Sequence, residues 1–237
     1  KCQEALPTPS EPCAPVVVPE TMLTLGLDTA TDLCALALVD DGRVRFEATL
    51  DVPRSHGTRL AMLVEQAFEH TGRRPADLDL IAVSAGPGSY TGLRIGMSLA
   101  KGLALSTGAA VVAVPTLYAL AASVSAHGPL VAVLPSRRGE VYAAVVDQGE
   151  EIAEASALAI ADVDRWLPST VVALGGPGAD RLDGIRPEVP RIVLRPSAVA
   201  VARLGERLHA SAEAEDLASL EPLYLKPVAT SQPRGIL

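Results

Sequence analysis

Gly86-Pro87-Gly88-Ser89-Tyr90-Thr91-Gly92-Leu93-Arg94-Ile95-Gly96 carries the chain out of one regular element and into the next. Upstream, residues 80–85 form a short apolar run that reads as a buried strand. Downstream, Met97, Ala100, Lys101 and Ala104 continue at helical spacing to about residue 107, where Gly108 stops the helix. Within that helix Gly92, Gly96, Ala100 and Ala104 recur at every fourth position. An interior helical glycine costs about 1 kcal/mol against alanine, so a helix holding Gly92, Gly96 and Gly102 uses its bare backbone for close approach. Two approaches are open: an anion at the helix N-terminus, or another segment laid across the small-residue face.

The anion reading is the weaker. A phosphate-binding loop needs Gly-Lys-Ser/Thr at the helix start, where this chain has Thr91-Gly92-Leu93, and a dinucleotide fingerprint beginning at Gly86 needs glycine at Thr91. Pro87 also has no amide hydrogen to donate. The small face then packs either inside its own domain or against a second subunit, and spacing alone does not separate the two.

Working outward, the chain of 237 residues is 49% hydrophobic, enough for one sizeable core or two small ones. No apolar run reaches the roughly 20 residues of a membrane span. A formal charge of −8 argues against a surface built to neutralise nucleic-acid phosphates, and the pairs Arg73-Arg74 and Arg137-Arg138 are too short to reverse it. Cys2, Cys13 and Cys34 show no metal-ligand spacing, and their odd number points to a reducing compartment, hence a cytoplasmic location. His56, His70, His127 and His209 are scattered, so no metal site is expected. Residues 1–21 hold five prolines and little periodicity; they read as a disordered leader or extension, with Met22 as the natural start.

From Met22 the pattern is three strands (23–27, 33–39, 43–50, the last two joined by Asp40-Asp41-Gly42), a helix capped by Ser55 and running to residue 71, the strand at 80, the glycine-bearing helix, a strand at 109–114 and a helix at 116–126. The second half repeats the order: strands 130–134, 141–146 and 150–155, a helix near 160–167, a strand at 171–174, the tight loop Gly175-Gly176-Pro177-Gly178, a short strand at 191–194 and a long helix capped by Ser197. Residues 221–226 read as a final extended segment. Two copies of one three-strand unit imply a duplicated α/β fold of βββαβαβα type, with subdomains at 22–128 and 129–227 and a loose tail at 228–237.

This order resembles the actin-like, sugar kinase and Hsp70 superfamily, which holds ATP between two such halves. The motifs resemble the TsaB family, formerly YeaZ: the Gly86 to Gly96 segment followed by Ala100-Lys101-Gly102-Leu103-Ala104, Leu27-Asp28-Thr29-Ala30-Thr31 at the first strand, Arg137-Arg138-Gly139-Glu140-Val141-Tyr142 at the central hairpin, and Pro222-Leu223-Tyr224-Leu225-Lys226 near the end. The resemblance implies a subunit of the bacterial complex that installs threonylcarbamoyl on N6 of the adenosine beside the tRNA anticodon. In that system a TsaD-like catalytic paralogue transfers the group, a TsaE-like ATPase assists, and the TsaB subunit is the dimerisation scaffold, with tRNA engaged only through the complex. The family pairs through two helices of each subunit, here 55–71 and 90–107, which makes Leu60, Leu63, Tyr90, Gly92, Leu93, Gly96, Ala100 and Ala104 the expected partner interface. Self-association of the chain alone is left open.

The same comparison implies a chain without catalytic residues. The catalytic paralogue carries a metal-binding His pair that this chain lacks, and where relatives have Asp-Ala-Arg-Arg it reads Pro135-Ser136-Arg137-Arg138. Superfamily kinases wrap phosphate with a glycine where Ala30 stands. Asp28, Gly175, Gly176 and Gly178 are the candidates for a vestigial nucleotide site, against local capping by Asp28 and a plain loop for the glycines. No resident cofactor is expected, with a nucleotide between subunits left open. Ser89 reads as a helix cap rather than a nucleophile, because no histidine with a partner acid is placed to activate it. Arg94 and Lys101 share one helix face and either meet acidic groups of a partner or point to water. The other functions compatible with the sequence are an ATP-dependent small-molecule kinase and a degenerate peptidase-like hydrolase.

Overall fold

The computed structural model of the chain describes residues 22–51, 56–147, 149–211 and 217–225, so the expected leader, the Ser55 cap and the tail at 228–237 lie outside the described residues. Two five-stranded sheets follow one plan. In the first, β1 (Leu23–Asp28), β2 (Leu33–Asp40) and β3 (Arg43–Asp51) form an antiparallel meander, and β4 (Leu80–Gly86) and β5 (Ala110–Pro115) add in parallel beyond β1, giving β3-β2-β1-β4-β5. In the second, β6 (Leu130–Pro135), β7 (Glu140–Asp147) and β8 (Glu150–Ala159) form the meander and β9 (Ala173–Gly175) and β10 (Arg191–Ile192) the parallel extension, giving β8-β7-β6-β9-β10. The matching orders are those of the duplicated actin-like fold. The β2–β3 turn is Asp41-Gly42 with both residues at positive φ, 52° and 71°, the conformation a two-residue hairpin of right-handed twist requires.

Alternation along the strands decides which helix covers which face. Leu25, Leu27, Leu36, Leu38, Ile81 and Val83 face α1 (His56–Thr71) and α2 (Tyr90–Thr107). The opposite face, with Leu80, Ala82, Val112 and Val114, is closed by Val201 and Leu204 of α5 (Ala198–Ser211). In the second sheet Val131, Val133, Val141 and Val145 pack under Val163 of α4 (Ile160–Trp166), while Ala132, Leu134, Ala144 and Val146 meet Leu117, Leu120 and Ala121 of α3 (Thr116–Ala121). Each half therefore lends a helix to the other: α3 comes from the first half and lies on the second sheet, and α5 comes from the second half and lies on the first. The expected boundary at 128/129 falls between the two sheets, with one helix crossing it in each direction.

Some boundaries differ from the sequence expectation. The helix at 116 ends at Ala121 rather than 126, and the Ser123 hydroxyl there donates to the Leu120 carbonyl, competing with the backbone for the next turn. β8 runs four residues further than expected, to Ala159, because Ser156 to Ala159 keep pairing with β7. Residues 221–225 form no strand; Leu223 instead donates a single backbone hydrogen bond to the Ala85 carbonyl at 2.6 Å, laying the segment across the end of β4 as a strap.

Candidate functional site

Two concave regions flank the first turns of α2. The Ser89 hydroxyl caps that helix by accepting the Gly92 amide at 3.2 Å, and Gly108 closes it in the left-handed conformation with its amide on the Ala104 carbonyl. Above the first turn lies the β1–β2 connection. Ser89 N–H donates to the Ala30 carbonyl at 2.7 Å, and the Thr29 hydroxyl donates to the Gly92 carbonyl at 2.7 Å in a buried bond. A Cβ at Gly92 would strike the Thr29 carbonyl, one at Gly96 would sit 2.5 Å from Thr29 Oγ1, and one at Gly88 2.8 Å from the Ala30 Cβ.

The bare backbone thus serves the chain's own β1–β2 turn, the first of the two packings left open by the spacing. Gly92, Gly96, Leu93, Ala100 and Ala104 are buried on α2, and Leu63 is buried on α1. They form the inward side of the two helices, because the sheet already lies against that side. Of the expected interface residues only Tyr90 is exposed; it and the buried Leu60 line, with Gly57, Thr91, Arg94, Ile95, Ser98 and Leu99, a groove of about 630 Å³ between α1 and α2. At its rim the Arg94 guanidinium lies 4.1 Å from the centre of the Tyr90 ring, and its Nε–H donates to the Tyr224 hydroxyl at 3.2 Å. Tyr90 and Tyr224 are themselves in ring contact, centroids 5.3 Å apart. Arg94 was open from the sequence as a contact to a partner's acidic groups, but Tyr224 was not among the expected interface residues: 130 positions separate the two, and the strap along β4 brings them together.

The second region is a cleft of about 520 Å³ between the halves, lined by Ala30, Thr31, Asp32, Leu33, Gly88 and Ser89 on one side and Leu134, Pro135, Ser136, Arg137, Tyr142 and Pro177 on the other. Arg181 stabilises its far wall; one guanidinium nitrogen donates to the carbonyls of Ser136, Arg137 and Glu140 at 2.9, 3.0 and 2.9 Å, pinning the β6–β7 turn. Sequence reading missed Arg181, since nothing local marks an arginine whose acceptors lie more than forty residues upstream.

The vestigial-nucleotide candidates do not line this cleft. Asp28 is buried beneath it, where its carboxylate accepts the Ala30 amide at 3.0 Å as a local turn cap. Burial raises the Asp28 pKa, an effect only partly offset by the Ala30 amide and the Ser84 hydroxyl. The neighbouring Cys34 thiol is pushed up to about 11, by burial first and by the Asp28 charge second. Gly175 packs on Ile192 and Leu194. Gly176 and Gly178 lie so tightly on β6 that a Cβ would strike the Val133 carbonyl in one case and come within 2.6 Å of the Leu134 carbonyl carbon in the other. For an ATP held as in the superfamily the residues fit poorly: Ala30 stands at the phosphate-wrapping turn with its carbonyl taken by Ser89, and Gly176 and Gly178 are closely backed by β6. Among the described residues no three His, Cys, Asp or Glu side chains come together as a metal site needs, and no histidine lines the cleft. Ser89 is committed to its cap. No helix among the described residues is long and apolar enough to cross a membrane.

Comparison with known proteins places these features in a family. The family model described as TsaD, tRNA N6-adenosine threonylcarbamoyltransferase, matches residues 51–227. The chain is 36% identical to the tRNA threonylcarbamoyladenosine biosynthesis protein TsaB of Escherichia coli K12 over 54% of its own length and 57% of that protein's. It is 36% identical to the TsaB of Bacillus subtilis 168 over 51% and 53% of the two lengths. The chain thus spans little more than half the length of these curated relatives. The crystallised YeaZ of Pseudomonas aeruginosa superposes with a TM-score of 0.73 at 28% identity, covering 87% of this chain and all of the other. Over a matched span of three quarters of its length, this chain belongs to the threonylcarbamoyltransferase-type family, on its TsaB (YeaZ) side.

Proposed function

We propose that the chain takes part in threonylcarbamoylation of tRNA adenosine N6 as a non-catalytic scaffold, docking a TsaD-like catalytic paralogue on the outer face of α1 and α2. The observation that carries this reading is the groove: an apolar floor of Leu60, Ile95 and Leu99 with an aromatic and cationic rim, on a face that no other element among the described residues covers. The non-catalytic part is supported by the cleft, where Ser89 is spent as a cap, Asp28 is buried below the surface and the glycine turn is filled by β6. A TsaE-like ATPase and tRNA then meet the chain only within the complex, in the cytoplasm, and no resident nucleotide is assigned to it.

Reconstitution tests the reading. A TsaD-like paralogue, a TsaE-like ATPase, threonylcarbamoyl-adenylate and unmodified tRNA are combined with and without this chain, and modified adenosine is quantified by mass spectrometry. The expected result is modification only when the chain is present, and none from the chain with tRNA and threonylcarbamoyl-adenylate alone. Transfer by the isolated chain, or full transfer in its absence, overturns it.

A further inference from the structure

Among the described residues, Arg94 is the only charged one lining the groove between α1 and α2. It is also unusually well held for an exposed arginine, lying on the Tyr90 ring at 4.1 Å and bonded through Nε to the Tyr224 hydroxyl at 3.2 Å. A guanidinium has five N–H donors in a rigid fork, and this contact occupies the one on Nε. No carboxylate of the described residues lies within 4 Å of it; Glu221 on the strap acts on it only through space. The terminal nitrogens therefore remain for a group from outside, at a fixed position beside an apolar floor.

Resting on the docking reading above, we propose that Arg94 selects the partner at this face by taking a carboxylate side chain of the docked helix. The chain as a whole carries a net charge of −8, so an acidic partner is repelled by most of its surface and attracted at this cation. Aromatic stacking leaves the fork oriented toward the groove before binding, so little side-chain entropy is lost when a carboxylate arrives bidentately. The ligand is an Asp or Glu on the partner, next to apolar side chains that fill the space between Leu60, Ile95 and Leu99. Tyr90 and Tyr224 are positioning residues, acting through Arg94.

The test measures the affinity of the full chain for its purified TsaD-like paralogue by interferometry. The variants are Arg94→Glu, Tyr224→Phe and, as a blocker of the groove itself, Ser98→Trp at an exposed lining position; circular dichroism confirms that each is folded. Arg94→Glu is expected to raise Kd at least about thirtyfold, the range seen when one member of a desolvated charge pair is lost. Tyr224→Phe is expected to raise it by only a few fold, with binding regained when one acidic residue of the paralogue is changed to Arg in the Arg94→Glu background. If Arg94→Glu stays within about threefold of the parent while Ser98→Trp abolishes binding, the Arg94 proposal falls and the docking face stands. If Ser98→Trp also binds normally, the docking reading falls with it. An effect of Arg94→Glu confined to self-association of the chain, with paralogue binding intact, overturns the proposal as well.

Discussion

Two glycines on α2 provide a decisive internal comparison. Gly102 is exposed, and a Cβ built on it meets nothing within 4 Å, so Gly102→Ala collects the helix-propensity gain of about 1 kcal/mol without a penalty. Gly92→Ala collects the same gain but drives a methyl group into the Thr29 carbonyl. Relieving that clash means moving the β1–β2 turn, at an overpacking cost of about 1–3 kcal/mol. It also strains the buried Thr29 hydroxyl to Gly92 carbonyl bond, worth about 1 kcal/mol. The net expectation is that Gly92→Ala loses about 1–3 kcal/mol while Gly102→Ala gains about 1. In a chain of this size each kcal/mol moves Tm by about 2–4 °C. Denaturant titration followed by far-ultraviolet circular dichroism measures both against the parent. A Gly92→Ala variant at least as stable as the parent would refute the claim that the glycine exists for the chain's own turn, and would return the small face to the pool of docking surfaces.

Other outcomes follow from the buried groups and from the cleft wall. Asp28 has a folded pKa raised above the ordinary aspartate value, so its contribution is fully present below that value and is lost as pH rises through the folded pKa. Asp28→Asn keeps an acceptor for the Ala30 amide, and the stability difference between variant and parent is expected to move in the variant's favour on going from pH 4 to pH 8; a flat difference would mean the carboxyl titrates normally. Cys34, buried and with its pKa near 11, is expected to resist a thiol-specific disulfide reagent at pH 8 in a Cys2→Ser/Cys13→Ser background until denaturant is added, and rapid labelling of the folded chain would contradict its placement. Arg181→Ala removes three carbonyl contacts, so hydrogen exchange should rise at 136–140 while α1 and α2 keep their protection; unchanged exchange in that turn would show that the arginine is dispensable there.

The fold was legible because its signals are local. The apolar runs of β1, β2 and β6, the Asp41-Gly42 turn, the Ser89 cap and the Gly108 stop each depend on neighbours a few positions away, and each lies where the pattern put it. The site was less legible where the deciding neighbour is remote. The four-residue recurrence of Gly92, Gly96, Ala100 and Ala104 correctly announced a close approach, but the sequence carries no mark that Thr29, 63 residues upstream, is what approaches. The same holds for Gly176 and Gly178 against β6, and for Tyr224 against Arg94. A helix has two sides of use, and spacing showed that one was special without showing which way it faced.

The exchange of α3 and α5 between the halves bears on how the chain is made. As the chain leaves the ribosome the first sheet is complete in sequence once β5 has emerged, yet the face carrying Leu80, Ala82, Val112 and Val114 waits for Val201 and Leu204, which arrive only after the whole second sheet has been translated. During that interval a nascent chain presents an aliphatic sheet face to solvent, the kind of surface that invites chaperone holding or nonproductive association. The first half cannot close its core ahead of the second, so the duplicated architecture is committed only once α5 has been made.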